Sequence, residues 1–437
     1  MARPASHVPL NVFLNGRRAG VLRRASTGAI DFQYAREWLD WPAAFPISLS
    51  LPLREDRYVG ALAINVFDNL LPDGEAMRRR IAERIGARDV DPHSLLSAIG
   101  RDCVGALQFT PDGQDPGIAG EVVGKPVSDV EIAEIIANLA YAPLGAGDDW
   151  DFRISIAGAQ EKTALLRKNG EWLKPQGATA TTHILKPQIG RLSDGVDLSD
   201  SVENEYFCLR LLEALGVAVA KAEIAEFAGR RTLVVERFDR LWVDENRLLR
   251  LPQEDFCQAL SVAPTRKYEA EGGPALPALI KLLNGGDAPT QDIITLMRAN
   301  LIFWMIGATD GHAKNFSLFL RPGGYALTPL YDVMTAQPNR DMGQISQRAF
   351  RLAMAVGEKR RYEVDKITPR HFLQTAELAG IGRGAMTAMF EELAATAEQK
   401  AASVIETLPG DFPEHLATSV LSAIVRRSQL LGSTRAA

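Results

Sequence analysis

Cysteine is scarce. The 437-residue chain has three, Cys103, Cys208 and Cys257, an odd number with no metal-ligand spacing. That excludes a disulfide scaffold and a thiolate metal centre, and it fits a reducing cytosol. Histidine is sparse too, with six in all and no second one at ligand spacing from His312, so a histidine-built zinc site is not expected. Long apolar runs are missing: nothing reaches the roughly 18 residues of a membrane span. The start, Met1-Ala2-Arg3-Pro4-Ala5-Ser6-His7, lacks an apolar signal core. A cytoplasmic location is the expectation. A basic excess is missing too. Lys and Arg number 49 against 54 Asp and Glu, a net charge of −5. No positive field covers the molecule, which disfavours a dedicated nucleic-acid binder and leaves only a local patch. There is no internal repeat and no low-complexity tract beyond short loops.

What is present is ordinary in amount, with 46% hydrophobic and 24% charged residues. The length suffices for two or three domains. One loop organises the chemistry. The apolar run Leu301-Ile302-Phe303-Trp304-Met305-Ile306 delivers Gly307-Ala308-Thr309-Asp310-Gly311-His312-Ala313-Lys314-Asn315. A short hydrophobic stretch, the turn Pro322-Gly323-Gly324 and Leu330-Tyr331-Asp332 follow. Phosphoryl transfer needs one carboxylate to orient or deprotonate the attacking hydroxyl. It also needs an Asn oxygen and a second carboxylate to hold Mg²⁺ against phosphates, and protein kinases use this Asp-to-Asn spacing. The reading assigns Asp310 as the base and Asn315 with Asp332 as metal ligands. A helix-capping Asp and a turn Asn read the same residues without chemistry. His312 reads as a loop residue that is structural or touches nucleotide. Lys314 is placed to meet developing phosphate charge.

The chain before this loop supplies further candidates. Residues 8–33 alternate around Asn15-Gly16, a hairpin signal, and Phe45 to Leu53 reads as an edge strand. The first block, to about residue 110, is a small mixed domain without obvious chemistry. Ser128 opens an amphipathic helix as N-cap. Ile154-Ser155-Ile156-Ala157-Gly158-Ala159-Gln160-Glu161-Lys162 reads as strand, small-residue loop, strand. Its backbone amides can cradle phosphate oxygens, although a plain hairpin fits as well. Lys186 lies in the strand His183-Ile184-Leu185-Lys186-Pro187, as a phosphate-gripping kinase lysine does or as a solvent-facing one would. Glu203 and Glu205 near the next helix start compete to pair with it, or serve the helix dipole. The end of the strand Leu233-Val234-Val235, at Glu236-Arg237-Phe238, is where a nucleotide kinase binds the adenine edge. Gln253, Glu254 and Asp255 read as a helix start. Beyond Asp332 the pattern is mostly helical.

Taken together, the stretches Ile154 to Lys162, His183 to Pro187, Val235 to Arg240, Gly307 to Ser317 and Pro369-Arg370-His371-Phe372 closely resemble the HipA toxins. These are serine/threonine-protein kinases of bacterial type II toxin–antitoxin systems, and the likeness spans essentially the whole chain. It implies an α+β, protein-kinase-like, two-lobed fold with an extra N-terminal α/β subdomain and a mostly helical C-terminal lobe. The expected divisions are 1–110, 111–245 and 246–437. It implies ATP and Mg²⁺ as cofactors, Asp310 as the residue that activates the substrate serine, and Asn315 and Asp332 at the metal. Ala157, Gly158, Ala159, Gln160, Glu161, Lys162 and Lys186 would meet the phosphates, Glu236, Arg237 and Phe238 the adenine. His312, Ala313, Lys314, Asn315, Tyr331 and Asp332 would line the nucleotide, with Glu205 pairing the lysine. Ser155 matches the serine such kinases phosphorylate on themselves. The resemblance further implies glutamyl-tRNA synthetase as protein substrate, with translation arrest and persistence as consequence. It implies a HipB-like DNA-binding antitoxin and repression of the shared operon. Glu377-Leu378-Ala379-Gly380 carries no Lys or Arg where some members touch DNA, so operator DNA is expected mainly through the antitoxin. Two other readings stay open. One is a small-molecule kinase of the aminoglycoside type, which shares Asp-x4-Asn but usually has an acidic pocket not evident after Asp332. The other is a non-catalytic, ATP-binding corepressor.

Overall fold

The computed structural model describes residues 7–87, 89–140, 156–158 and 160–433. The chain forms two compact units. One comprises Met1–Pro187, Ala225–Thr265 and Leu318–Tyr325, the other Gln188–Ile224, Arg266–Ser317 and Ala326–Ala437.

The first unit begins with the expected hairpin. Leu10–Leu14 pairs antiparallel with Arg17–Arg24, Leu10 opposite Leu22. Asn15 and Gly16 both have positive φ, as a two-residue hairpin turn demands. Alternating burial along Leu10–Leu14 and Ile30–Tyr34 puts one face of each strand into the core. The sheet runs Tyr58–Val59, Ile30–Tyr34, Arg17–Arg24, Leu10–Leu14, Leu107–Pro111. Helices Ala61–Asp68, Glu75–Ile85 and Pro92–Ile99 add Phe67, Ile81 and Leu95 to the same core as Phe32 and Phe109. Asp91 caps the third helix through Ser94 N–H, as its type favours.

Phe45 to Leu53 departs from expectation. It is not a strand but a run of bends and turns. Pro46 and Pro52 can give no ladder hydrogen bond, and the Ile47 N–H is taken by the Tyr34 hydroxyl at 3.1 Å. The sheet edge is Tyr58–Val59 instead.

The second sheet of this unit is ordered Ala222–Phe227, Arg230–Glu236, His183–Pro187, Thr163–Lys168, Glu171–Pro175, Gly124–Pro126. Ser128 caps the helix Asp129–Ala137 in a full capping box with Glu131. Gln253–Asp255 forms a short strand, and only Phe256–Ala259 is helical, Asp255 and Gln258 capping it reciprocally. So the helix-start reading holds for Asp255, while Glu254 is instead a buried strand residue.

A buried ionic network ties residues 101–105 to the second sheet's end. Asp102 accepts from Arg240 Nη2 at 2.8 Å, Arg250 Nε at 3.0 Å, Thr181 Oγ1 at 2.6 Å and Arg237 Nη1 at 3.4 Å. Asp239 accepts from Arg237 Nε at 3.0 Å and Gly105 N–H at 2.7 Å. Burial alone would raise the Asp102 carboxyl. The Arg240, Arg250 and Arg237 guanidiniums outweigh it and hold that carboxyl well below the usual carboxylate range.

The second unit is mostly helical: Ser201–Ala214, Leu276–Leu283, Pro289–Ile306, Pro369–Leu378, Arg383–Glu406 and Glu414–Ser433. Pro289–Ile306 is apolar all round in its last turns because they are buried all round, Leu301 to Ile306 without exception. It stops at Gly307, whose φ of 73° closes the helix with N–H bonds back to Phe303 and Trp304 carbonyls. A Cβ there would come within 2.8 Å of the Phe350 ring. Among the described residues, no helix is long and apolar enough to cross a membrane.

Candidate active site

The loop released by Gly307 is drawn tight within a few residues. His312 N–H reaches back to the Asp310 carbonyl at 2.8 Å, and Asn315 N–H to that of His312 at 2.9 Å, making a short 3-10 turn over Ala313–Asn315. His312, Ala313, Lys314 and Asn315 are buried by it, while the Asp310 side chain stays 54% exposed. A reactive carboxylate needs that access, and the buried turn behind it fixes its backbone.

Asn315 joins this loop to the next candidate. Its Nδ2 donates to the Asp332 carbonyl at 3.0 Å. That amide donation turns the side chain's oxygen, its remaining acceptor group, to other partners. Asp332 sits at φ +59°, a left-handed conformation uncommon for a side-chain-bearing residue. Asn204, in the helix Ser201–Ala214, holds the segment from the far end. Its Nδ2 donates to the Thr335 carbonyl and its Oδ1 accepts the Thr335 N–H, both at 2.8 Å. Thr335 Oγ1 then donates to the Ile306 carbonyl at 2.5 Å, and Ala336 N–H to that of Gly307 at 2.9 Å. The loop bearing Asp310 and the segment bearing Asp332 are thus one hydrogen-bonded body. The Tyr331 hydroxyl adds a stitch, lying 2.5 Å from Ser317 Oγ and donating to the Lys314 carbonyl at 3.0 Å.

Asp310 has a neighbour that the sequence did not suggest. The Tyr268 hydroxyl donates to Asp310 Oδ1 at 2.6 Å, and its ring stands edge-on to His312 with centroids 4.9 Å apart. His312 Nε2 is 3.9 Å from the same Oδ1. The two helix acids are both buried. Glu203 Oε2 accepts from Gln188 Nε2 at 2.6 Å.

In the first unit, Lys186 is buried on His183–Pro187, opposite Leu233 of Arg230–Glu236. The small-residue loop is anchored by a parallel bridge between Pro72 and Gly158 and by Asp73 N–H to the Gly158 carbonyl at 3.2 Å. Gly158 has φ +111°, and a Cβ there would lie 2.5 Å from Lys162 Nζ. The ammonium therefore lies over a position that only glycine leaves open. Gln160 Nε2 donates to the Pro187 carbonyl at 3.2 Å, and Glu161 lies 3.4 Å from Arg80. Ala157 is half-buried beside them. Ser155 and Ala159 lie outside the described residues. Glu236 is paired with His183 at the strand end, and the Phe238 ring meets Phe319 edge-on at 5.8 Å. The Arg237 guanidinium is consumed by Asp102 and Asp239, and its N–H by the Thr182 carbonyl at 2.8 Å. Its side chain serves the fold at that strand end.

Aspartate and asparagine oxygens are hard donors of the kind Mg²⁺ prefers, and Mg²⁺ on a nucleotide typically takes one or two protein ligands beside phosphates and water. Among the described residues no three His, Cys, Asp or Glu side chains gather into a full protein cage. Asn315 and Asp332 fit the first arrangement.

The family model of the HipA-like C-terminal domain matches residues 154–401, and that of the HipA N-terminal domain matches residues 10–110. A putative kinase, Y4mE, of Sinorhizobium fredii is 34% identical over 401 residues, 91% of this chain and 92% of the relative. The serine/threonine-protein kinase toxin HipA of Shewanella oneidensis is 28% identical over 426 residues, 92% of each chain. A solved structure of Shewanella oneidensis HipA with HipB and its operator DNA superposes with a TM-score of 0.81 at 26% identity. It covers 98% of this chain and 99% of that one.

Proposed function

The chain belongs to the HipA family, and from that membership we propose that it is the kinase toxin of a type II toxin–antitoxin pair, an ATP- and Mg²⁺-dependent serine/threonine-protein kinase. Asp310 is the base, and Asn315 and Asp332 hold the metal. Lys186 and the loop Ala157 to Lys162 grip phosphates. Glu236 to Phe238 bind adenine, through Glu236 and Phe238 more than through the Arg237 side chain. His312 to Asn315 and Tyr331 line the nucleotide. Glu205 is the lysine-pairing acid. Bound Mg²⁺ would supply charge neutralisation at the β- and γ-phosphates. The protein substrate is glutamyl-tRNA synthetase. Ser155 is the self-phosphorylated residue, where about two added negative charges would expel a phosphate-binding loop. A HipB-like antitoxin is the partner, carrying operator DNA for repression. The division into 1–110, 111–245 and 246–437 belongs to the same reading.

One observation carries it: the Asn315 amide clasping the backbone of a left-handed Asp332, within the hydrogen-bonded body that bears Asp310. The test is transfer of label from γ-labelled ATP to protein in the presence of Mg²⁺. The wild-type chain should label Ser155 and one dominant cellular protein. Asp310→Ala should cut transfer about 10²–10⁴-fold, the usual worth of a positioned base. Full labelling by that variant ends the assignment.

A further inference from the structure

We propose that Tyr268 is the positioning residue for the Asp310 carboxylate. The proposal rests on the reading of Asp310 as the base and adds the residue that aims it. The phenol donates to Asp310 Oδ1 at 2.6 Å, the length of a strong bond from O–H to a charged oxygen. In this proposal the second carboxylate oxygen, Oδ2, is the one that meets the substrate hydroxyl. With one oxygen fixed, rotation about the Cβ–Cγ bond is restrained and Oδ2 points one way.

The tyrosine is itself presented rigidly. Its carbonyl accepts N–H bonds from Glu271 at 3.1 Å and Gly273 at 2.9 Å, closing the turn around the 3-10 segment Glu269–Glu271. Glu269, next in the chain, is buried. It accepts from Ala355 N–H at 2.6 Å and from Arg360 Nε at 2.9 Å, pinning the turn to the strand Arg351–Val356. The turn ends on Gly272 at φ +87° and Gly273, where a Cβ would fall 2.1 Å from the Arg266 carbonyl. On its other side the ring packs edge-on against His312, a residue of the same loop as Asp310. A side chain held at its backbone and its ring can hold a third group; a mobile surface tyrosine could not.

In the transfer step the acceptor hydroxyl oxygen bonds to the γ-phosphorus as the bond to the ADP oxygen breaks. The hydroxyl proton passes to Asp310 Oδ2. Tyr268 keeps its own proton throughout and touches neither nucleotide nor acceptor.

The experiment compares the full-length wild type, Tyr268→Phe and Asp310→Ala, with Mg–ATP and a heat-treated cell extract as hydroxyl acceptor. Tyr268→Phe keeps the ring on His312 and removes only the donor. Its kcat should fall about 10- to 100-fold, the scale of a misaimed catalytic group. Its KM for Mg–ATP should stay within about twofold and its melting temperature should not move, a split that a merely structural role would not give. Wild-type kcat in Tyr268→Phe, or a gain, beside an inactive Asp310→Ala, overturns the tyrosine assignment alone. A fall in kcat matched by a rise in KM and a lower melting temperature overturns it too. A wild type no more active than Asp310→Ala removes the kinase reading and this proposal with it.

Discussion

The two units use aspartate in opposite ways. In the first, Asp102 and Asp239 are sunk among three arginines and every carboxylate oxygen is met by a donor. In the second, Asp310 is half open to solvent and accepts from the Tyr268 phenol, and Asp332 sits at a left-handed φ. A saturated, buried carboxylate has no capacity left for a ligand. An exposed one that accepts from a phenol stays open to solvent as well. The contrast separates saturated, buried carboxylates from solvent-open ones better than residue type does.

The strongest way to break this contrast is to empty the saturated site. Asp102→Asn leaves Arg237 and Arg240 sharing Asp239 and takes the Asp102 carboxylate from Arg250. Removing one partner of a buried ion pair typically costs about 3–5 kcal/mol. Equilibrium urea unfolding should show a loss of that order. The wild type should reveal the same group by pH. Its folded carboxyl is held below the unfolded value, so the stability it adds is complete above about pH 4 and is lost as pH falls toward the folded value. The variant's stability should change less over that acid range. Equal midpoints for the two proteins would mean the network carries no stability.

The same contrast tells how far the sequence could be read. The hairpin at Asn15-Gly16, the cap at Ser128 and the apolar run ending at Gly307 were legible because period, turn and cap chemistry are local. The loop from Asp310 to Asn315 was legible for the same reason. Asp102 with Arg250 was not, because those partners lie 148 residues apart. Tyr268 lies 42 residues from Asp310, and Asn204 lies 131 from Thr335. A signal for Asn204 did exist: asparagine is a poor helix former, so one set within an apolar helix implies a bond elsewhere. Its acidic neighbours, Glu203 and Glu205, drew the reading instead. Phe45 to Leu53 misled because its alternation is strand-like while its prolines forbid a ladder.

Asn204 permits a milder and sharper test. It is buried like Asp102, yet its amide bonds go to Thr335, three residues beyond Asp332. Asn204→Ala strips a donor and an acceptor from the Thr335 backbone, which should cost about 1–3 kcal/mol of stability. The Mg²⁺ concentration for half-maximal transfer should rise about tenfold, a 1.4 kcal/mol effect. The nucleotide KM at saturating Mg²⁺ should change little. An unmoved Mg²⁺ requirement beside lower stability would reduce Asn204 to a structural residue.

Glu254 gives the smallest effect and tests the rule inside the first unit itself. It is buried, as Asp102 is, but its Oε1 is met by a neutral donor, the Leu49 N–H at 2.8 Å, while Oε2 has no hydrogen-bond partner among the described residues. Burial therefore pushes its carboxyl up to about 8. The folded chain holds a proton there that the unfolded chain gives up near pH 4. Stability from this group is complete below about pH 4 and is lost as pH rises through about 8, opposite in sign to Asp102. Glu254→Gln keeps the size and the acceptor without the charge. Its unfolding free energy in urea should match the wild type at pH 5 and exceed it at pH 9 by about 1–2 kcal/mol. Parallel stability curves across that range would show that the Glu254 carboxyl is ionised throughout. In that case burial without a counter-charge does not distinguish it from Asp102.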